Sequence, residues 1–389
     1  MSPKKVPYAS LDTPAVLIDM DKLESNISEM LQAASEAGVK LRPHVKVHQC
    51  PEIANMQIEA GAHGIEVGLI DQAMVMADAG VDDIVIAHPF YGDRKFEKIK
   101  NLLIKHPKLK LAAVVDMAEQ ARGLSEVGAA LRRKIPVHIK VDTGLRRYGV
   151  LPGAPVLMLA KQIQQLPGVE LVGVYAHESG APPTEEGVTR VALECGAVTA
   201  EMARMLRREG FDIQHVSVGA SPTHFATCRL IKEGILSDIT ELHPGQGFIG
   251  DITTMLAKGV RREQCALTML ATVVSTSHNE YVIIDAGFKA FGSESMIGRR
   301  DLPGFYWNNM PSFGLVQGLV DLWLGRLGAE SGWLYYQDPA TQDRLQLGDR
   351  LEIVPNSASL LLNIHDVVYG VRNGAIEREF RIAGRGQGT

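Results

Sequence analysis

The stretch Leu41-Arg42-Pro43-His44-Val45-Lys46-Val47-His48 places a basic, histidine-rich cluster between a strand-like apolar run and a helical pattern. Strand, polar loop and helix in that order form the unit from which α/β folds are built. Lys46 is a candidate carbonyl-binding amine, because burial and nearby cations lower the pKa of a lysine and make it nucleophilic. Arg42, His44 and His48 would supply that field if they share its pocket. The alternative is a solvated basic turn, the commoner state of a lone lysine, so the rest of the chain has to decide.

The same order of elements recurs as far as about residue 250. Apolar β-type runs occupy residues 15–18, 39–45, 64–68, 83–89, 109–116, 136–142, 169–177, 214–219 and 239–248. Amphipathic patterns with apolar residues at three-to-four spacing lie between them, for example at residues 21–37, 72–79, 117–131 and 187–210. A strand, helix, strand order repeated about eight times predicts a (β/α)8 TIM-type barrel. A doubly wound sheet shares this alternation, so periodicity by itself leaves both open.

The pattern changes after about residue 255. Apolar runs at residues 266–277, 281–286, 351–354, 360–364 and 367–371 follow one another with turns and few long helical patterns, which predicts a mainly β C-terminal domain. Asn373-Gly374, between the run at residues 367–371 and a further run at residues 376–382, predicts a hairpin, because both residues tolerate positive φ. We therefore divide the chain into an N-terminal segment (1–13) packing on the β domain, a barrel (14–255) and a β-rich domain (256–389).

Composition restricts the classes of function. With 389 residues, 46% hydrophobic and 22% charged, and a net charge of −5, the chain has the composition of a globular protein and no basic field for nucleic acid. The cysteines at positions 50, 195, 228 and 265 have no CxxC spacing, which indicates reduced thiols rather than a disulfide framework. The N-terminal residues lack the apolar segment of a signal peptide, and no run of about 18 apolar residues is available to span a membrane. We predict a cytoplasmic protein.

Polar residues close several of the predicted barrel strands, where ligands bind in this fold. The run 136–142 leads into Thr143-Gly144, and the run 169–177 ends at His177 before Glu178-Ser179-Gly180. The segment Gly219-Ala220-Ser221-Pro222-Thr223 offers backbone N–H groups, two hydroxyls and the start of a helix, which is the chemistry of a phosphate cradle. His88 closes another run and is expected to face the same side as Lys46.

Gly245-Gln246-Gly247-Phe248-Ile249-Gly250 matches the pattern GxGxxG. A dinucleotide-binding fingerprint belongs at the first strand-to-helix turn of a βαβ unit, whereas this stretch ends the α/β half of the chain. Its glycines are expected to let the backbone approach a phosphate or to form the turn into the second domain.

Three motifs together resemble the fold-type III pyridoxal 5'-phosphate (PLP) enzymes. They are Arg42-Pro43-His44-Val45-Lys46-Val47-His48, Lys140-Val141-Asp142-Thr143-Gly144-Leu145 with Arg147-Tyr148-Gly149, and Gly173-Val174-Tyr175-Ala176-His177. Within these enzymes the chain is most similar to the D-threonine aldolase and D-serine dehydratase branch, whose barrel is of the alanine racemase N-terminal type. Asp285-Ala286-Gly287, Val354-Pro355-Asn356 and Asn363 extend the resemblance into the C-terminal half.

The resemblance implies a role for each matching residue. Lys46 matches the lysine that binds PLP as a Schiff base, Arg147 matches the arginine that binds the cofactor's phenolic oxygen, and His177 matches the position beside the pyridine ring. The implied cofactor-binding set is Lys46, His44, Arg147, His177, Gly219, Ser221, Thr223, Gly245 and Gln246. The candidate catalytic set is Lys46, His88 and His177, in which His88 is named from its place at a strand end, as a base for the substrate's hydroxyl in the absence of a metal.

The sequence departs from the resembled branch at the metal ligands. There, a histidine and, two residues later, a cysteine or aspartate follow the Pro-Asn pair and hold a divalent metal. This chain has Ser357 and Ser359 at those positions. Serine hydroxyls are poor ligands beside imidazole, thiolate or carboxylate. We therefore predict no metal site, and divalent metal as a cofactor is in doubt.

The resemblance favours a PLP-dependent lyase, of aldolase or dehydratase type, acting on a β-hydroxy D-amino acid through Lys46. A metal-independent amino-acid racemase or epimerase is the main alternative. A non-catalytic PLP-binding protein and a cofactor-free enzyme with a Schiff-base lysine are less favoured. The expected partners are a small amino-acid substrate and a second copy of the chain, in a homodimer with the active site near the subunit interface. Nucleic acid and membrane are not expected partners.

Overall fold

The structure, a computed structural model, describes residues 8–178, 180–292, 305–341 and 344–388. The chain enters through strand β1 (Ala15–Asp19) and helix α1 (Met20–Glu36). Eight parallel strands follow, namely β2 (Lys40–Leu41), β3 (Ile65–Val67), β4 (Asp83–Ile86), β5 (Lys110–Val115), β6 (Ile135–Lys140), β7 (Val169–His177), β8 (His215–Gly219) and β9 (Glu241–Leu242). The helices that accompany them are α2 (Pro51–Glu59), α3 (Ile70–Asp78), α4 (Asp93–Lys105), α5 (Ala118–Ala130), α6 (Ala154–Gln164), α7 (Glu185–Arg208), α8 (His224–Lys232) and α9 (Ile252–Leu256).

The parallel strands form one curled sheet in the order β2-β9-β8-β7-β6-β5-β4-β3. Its two edges meet, because the backbone N–H of Glu66 donates to Pro43 O at 2.8 Å and that of His63 donates to Leu41 O at 2.8 Å. His44 and Glu66 form the bridge that continues this contact. The predicted barrel is therefore confirmed, and its closing seam lies directly before Lys46.

The barrel helices bury apolar residues against the sheet, and a side chain caps the N-terminus of α1 and of α7. In α1, Leu23, Ile27 and Met30 are buried at three-to-four spacing, and the side chain of Asp19 accepts from the Lys22 N–H at 3.1 Å. In α7, Thr184 accepts from the Gly187 N–H at 3.0 Å. Such caps satisfy backbone N–H groups that have no partner within the helix, and they stabilise the first turn of these two helices.

Strand β1 does not belong to the barrel, and the interpretation of residues 15–18 as a barrel strand is wrong. β1 pairs antiparallel with β10 (Leu267–Ser275) and parallel with β18 (Val367–Arg372). Val16, Leu17 and Ile18 are all fully buried, because the strand is central in the C-terminal sheet. The barrel begins instead at β2.

The C-terminal domain is mainly β, as predicted. Its remaining strands are β11 (Tyr281–Ile284), β12 (Tyr306–Trp307), β13 (Met310–Pro311), β14 (Gly314–Val316), β15 (Leu322–Leu327), β16 (Gly332–Tyr336), β17 (Arg350–Pro355) and β19 (Ala375–Arg381), with short helices α10 (Phe288–Phe291) and α11 (Ala358–Leu362). Together with β1, the strands other than β12 and β13 form a nine-stranded sheet. The predicted hairpin joins β18 to β19, with φ of 51° at Asn373 and 74° at Gly374.

Residues 360–364 do not form the strand that their apolar run predicted. Residues 358–362 are the helix α11, and the side chain of Ser357 caps it by accepting from the Leu360 N–H at 3.5 Å. α11 packs against the short 3-10 turn Val45–Val47. Gln49 also donates from Nε2 to Asn363 Oδ1 at 3.3 Å. The C-terminal domain therefore supports the segment that carries Lys46.

The described part of the N-terminal segment lies on the β domain. Tyr8 and Leu11 pack against Leu17 and Leu270. Arg350 donates to the carbonyl oxygens of Tyr8 and Leu11, at 2.6 and 2.9 Å. The division of the chain at residues 13 and 255 stays a prediction. Among the described residues, each helix is either too short or too polar to span a bilayer.

Candidate active site

A cavity of about 230 Å³ lies at the carboxyl ends of the barrel strands. It is lined by His44, Lys46, His177, Glu178, Gly180, Ala181, Ala220, Ser221, Pro222, Thr223, His243, Gly245, Gln246 and Ala257. Seven of the predicted site residues are among them: His44, Lys46, His177, Ser221, Thr223, Gly245 and Gln246. A larger groove of about 460 Å³, bordered by Glu24, Gln32 and Met56, lies on the outer surfaces of α1 and α2, and none of the predicted site residues lines it.

Lys46 lies on the 3-10 turn that follows the barrel seam. The ring Nδ1 of His44 accepts from the Lys46 backbone N–H at 3.5 Å and so begins this turn. Burial lowers the pKa of the Lys46 amine, Glu66 opposes that change, and Arg147 adds to it. A lysine whose pKa is lowered has a larger unprotonated fraction near neutral pH, as attack on a carbonyl requires.

Four histidines surround this lysine. The ring centroids of His44 and His88 are 6.3 Å apart, and so are those of His177 and His243. Burial is the main cause that lowers the pKa of each, to about 4 for His88 and about 3 for His177. All four are therefore neutral at pH 7, and each has one donor and one acceptor nitrogen.

Within the part of the chain that the structure describes, two buried ring nitrogens at the cavity have no hydrogen-bond partner. They are Nε2 of His44 and Nε2 of His243. His243 uses its other nitrogen, since Nδ1 lies 2.8 Å from Ser217 Oγ. Its ring is stacked on that of Tyr175 at 4.2 Å. Buried polar atoms are nearly always satisfied, so these two nitrogens indicate a polar ligand or water in the cavity.

A charged layer that sequence reasoning missed lies under the cavity. The Tyr175 hydroxyl donates to Glu66 Oε2 at 3.2 Å, and the amine of Lys140 is 4.5 Å from the centre of the Tyr175 ring. Burial raises the pKa of Glu66 to about 8 although Lys140 opposes it. Burial lowers the pKa of Lys140 to about 8, with Glu66 opposing. The only sequence signal was a charged residue inside each of two apolar runs, at Glu66 and Lys140.

The predicted phosphate cradle is formed by the segments after β8 and β9. The Gly247 N–H donates to Ser221 Oγ at 2.8 Å, which joins the two segments. A Cβ at Gly219 would lie 2.6 Å from the backbone nitrogen of His243, and a Cβ at Gly245 would lie 2.7 Å from His44 O. Glycine at these positions allows the backbone segments to approach each other. The GxGxxG stretch accordingly forms a 3-10 turn (Gln246–Phe248) after the last barrel strand, where no dinucleotide motif is expected.

Three predicted site residues do not line the cavity. His88 is half-buried, with its ring 6.3 Å from that of His44 and 5.7 Å from that of Tyr148. Arg147 is exposed, with its guanidinium 5.4 Å from the Tyr148 ring, although it is close enough to lower the pKa values of Lys46, His88 and His177. Gly219 ends β8 and contributes packing rather than a cavity surface.

The two serines at the expected metal positions have their hydroxyls near each other, with 3.4 Å between Ser357 Oγ and Ser359 Oγ. The Ser357 hydroxyl also caps α11. In the described part of the chain, no group of three or more His, Cys, Asp or Glu side chains is arranged to hold a metal ion. Downstream, His365 Nε2 lies 2.8 Å from Ala290 O, and Asp366 is paired with Arg385. The residues at this place do not fit a divalent metal.

The comparisons with known proteins agree with this geometry. The family model "Alanine racemase, N-terminal domain" matches residues 18–251. The chain belongs to this family. A second model, "Putative serine dehydratase domain", matches residues 266–371, so the alanine racemase-type barrel is followed by a domain of dehydratase type.

Two curated relatives of this alanine racemase-type chain match nearly its whole length. A D-threonine aldolase of Arthrobacter sp is 30% identical over 387 residues, covering 98% of this chain and 94% of its own. The D-threo-3-hydroxyaspartate dehydratase of Delftia sp. (strain HT23) is 30% identical over 358 residues, covering 90% of this chain and 91% of its own. The crystal structure of D-threonine aldolase from Filomicrobium marinum superposes with a TM-score of 0.84 at 26% identity, over 99% of this chain and 98% of that one. The resemblance to fold-type III PLP enzymes is confirmed at the level of the family.

The cavity fits PLP, the cofactor that the family implies. The cofactor carries an aldehyde, a polar aromatic ring and a phosphate, and the cavity offers an amine of lowered pKa, ring nitrogens without partners, and hydroxyls beside closely approaching backbone. Lys46, His177, Ser221 and Thr223 would hold it. This assignment of individual residues stays a prediction.

Proposed function

We propose that the protein is a PLP-dependent lyase of aldolase or dehydratase type that acts on a β-hydroxy D-amino acid. The observation that carries the proposal is that a single cavity contains both the amine of Lys46 and the hydroxyl cradle at Ser221 and Thr223. Similarity to an aldolase and a dehydratase over at least 90% of the chain supports the lyase class over a racemase or a bare PLP carrier.

The chain's own groups have separable tasks in this proposal. PLP supplies an electron-withdrawing ring that takes up charge when a bond at the substrate's Cα breaks. Lys46 supplies the amine that attaches the cofactor, and its lowered pKa favours the reactive, unprotonated form. His177 keeps a neutral imidazole in the cavity because burial lowers its pKa to about 3. The cradle holds the phosphate through backbone N–H groups and hydroxyls.

In aldol cleavage the substrate's β-hydroxyl loses its proton to a base, for which we propose His88 or His177. Both have pKa values lowered to about 4 or below, so an unprotonated ring nitrogen is available at neutral pH. His177 lines the cavity, whereas His88 is not among the residues that line it, and its ring is 6.3 Å from that of His44. This position makes His177 the stronger candidate of the two.

We further propose that the reaction runs without a metal at Ser357 and Ser359. Neutral hydroxyls do not replace imidazole, thiolate or carboxylate as ligands of a divalent ion. The Ser357 hydroxyl is already the N-cap of α11, and His365 and Asp366 have partners outside the cavity.

The proposed assembly is a homodimer whose interface adjoins the cavity. Large apolar side chains are exposed on the loops after β4, β5 and β6, at the mouth of the barrel. Tyr91 is 66% exposed, Met117 57% and Leu151 66%. Clusters of this kind mark surfaces that another protein covers. A cytoplasmic location is proposed as well, since all four cysteines are buried free thiols.

Product identification tests the function. The purified protein, supplied with PLP, is incubated with D-threonine, D-serine and both alanine enantiomers. The Lys46→Ala variant, treated in the same way, is the negative control. Glycine plus acetaldehyde from D-threonine identifies an aldolase, and a 2-oxo acid plus ammonia identifies a dehydratase. Interconversion of the alanines with no lyase product would overturn the proposal in favour of a racemase.

A further inference from the structure

Glu178 is a buried carboxyl group at the end of β7 that the proposed chemistry does not use. It is 1% exposed and lines the same cavity as Ser221 and Thr223. The Thr223 hydroxyl donates a hydrogen bond to Glu178 Oε2. Thr227 donates to Oε1 at 3.1 Å. The carboxyl group is therefore hydrogen-bonded to a hydroxyl group of the phosphate cradle.

The number of hydroxyl protons limits how many hydrogen bonds this cradle can donate to a bound anion. A threonine hydroxyl carries one proton, and an ionised carboxylate can only accept hydrogen bonds. While Glu178 is ionised, the proton of Thr223 is held by the carboxylate, or by its other neighbouring acceptor, Ala220 O at 3.1 Å. No proton of Thr223 is then left for an anion in the cavity. A protonated Glu178 reverses the bond, because it donates to Thr223 Oγ1 and frees that hydroxyl's proton.

The charges around Glu178 favour the protonated state when an anion is bound. The titratable groups that face it from the packed helices are Cys195 of α7 and Cys228 of α8, and burial raises the pKa of both thiols to about 12. On its own strand, His177 is neutral. Burial raises the pKa of Glu178 to about 7, although the two threonines oppose this. Among the described residues that line the cavity, Lys46 is the only lysine or arginine side chain, and burial lowers the pKa of its amine.

We propose that Glu178 is a positioning residue for the cofactor's phosphate, which enters the cradle together with a proton on Glu178, so that the Thr223 hydroxyl donates to the phosphate. This inference rests on the proposed PLP function. Binding of the phosphate takes up one proton from solution wherever free Glu178 is ionised. The affinity for the phosphate therefore falls as the pH rises above the pKa of free Glu178.

Equilibrium dialysis of the full-length protein against PLP from pH 6 to 9 tests this inference. The wild type is compared with Glu178→Gln, whose amide N–H₂ imitates the protonated carboxyl group at every pH. The control is Glu170→Gln, which changes an exposed glutamate of the same strand. Differences between variants cancel the titration of Lys46 and of PLP itself.

We expect the PLP dissociation constant of the wild type to rise relative to that of Glu178→Gln by up to about tenfold per pH unit above pH 7. With the pKa of Glu178 at about 7, Glu178→Gln should bind up to about 30-fold more tightly than wild type at pH 8.5. Glu170→Gln should follow the wild type. Parallel pH profiles for wild type and Glu178→Gln would overturn the inference. Failure of the wild type to bind PLP at any pH would instead overturn the proposed function.

A second measurement needs no variant. Calorimetric titration of the cofactor-free wild type with 4'-deoxypyridoxine 5'-phosphate, in buffers of different ionisation enthalpy, counts the protons taken up. This analogue has the phosphate and lacks the aldehyde, so Lys46 makes no imine with it. At pH 8 we expect close to one proton taken up per analogue bound. An uptake of zero at that pH would contradict the role of Glu178.

Discussion

Replacing Gly245 with alanine would place a methyl carbon 2.7 Å from the backbone oxygen of His44. Ordinary contacts begin at 3.4 Å, so the two segments must separate by about 0.7 Å. The neighbour is backbone, which does not rotate away, and it lies two residues before Lys46. Overpacking of this kind costs about 1–3 kcal/mol. If the whole of this cost opposes the backbone arrangement that binds the phosphate, the affinity for PLP drops by about 5-fold to 150-fold.

Gly247→Ala is the matched control. A Cβ at Gly247 meets the sulfur of Met30 at 3.1 Å, the far end of a flexible side chain that can move aside. Equilibrium dialysis at one pH gives the PLP dissociation constants, and thermal unfolding of each variant checks the fold. The reasoning is refuted if Gly245→Ala binds PLP like the wild type, or if Gly247→Ala loses as much affinity.

Three further changes test the assignments of single residues. Lys46→Ala should lose the borohydride-trappable PLP chromophore, because its amine is the one that lines the cavity; a trappable chromophore in this variant would contradict the assignment. Arg147→Ala should shift the PLP absorption spectrum and weaken PLP binding, since a charged hydrogen-bond donor is lost. The control variant Arg146→Ala, which changes the exposed neighbouring arginine, should behave as wild type. Equal spectra in the wild type and both variants would make Arg147 a structural residue. Treatment with EDTA should leave activity intact, because Ser357 and Ser359 provide only neutral hydroxyls. This prediction would be refuted if elemental analysis found stoichiometric zinc or manganese and if the chelator removed activity that added metal then restored.

The barrel could be predicted because each strand, loop and helix unit is written locally in the sequence. The two errors arose where a local pattern has two tertiary outcomes. Residues 15–18 are apolar and precede a capped helix, as a barrel strand would, and only their pairing with β10 and β18 assigns them to the other sheet. Residues 360–364 are apolar in either a strand or a short helix. The capping serine Ser357 three residues before Leu360 was the overlooked signal for a helix.

The candidate site was predictable where it lies on contiguous motifs and not where it depends on contacts between strands. Lys46 and Ser221 lie on loops that the sequence marks by polar residues after apolar runs. Glu66, Lys140 and His243 come from three different strands or strand ends, and their relation appears only when the sheet closes. A charged residue within a buried strand requires partners. That rule, applied to Glu66, would have predicted a cation and a hydrogen-bond donor inside the barrel.

The histidines of the cavity are not the groups that titrate near neutral pH. Burial lowers the pKa of His88 to about 4 and that of His177 to about 3, so both remain unprotonated bases well below pH 6. The pKa near neutrality belongs instead to Glu178, at about 7, and burial raises the pKa of Glu66 and lowers that of its neighbour Lys140, so both move toward the neutral range. An unperturbed histidine would have titrated between these ranges. A change in activity or cofactor binding between pH 6.5 and 8.5 is therefore assigned to the buried carboxyl groups and lysines of the site, Lys46 among them, whereas the cavity histidines titrate at more acidic pH.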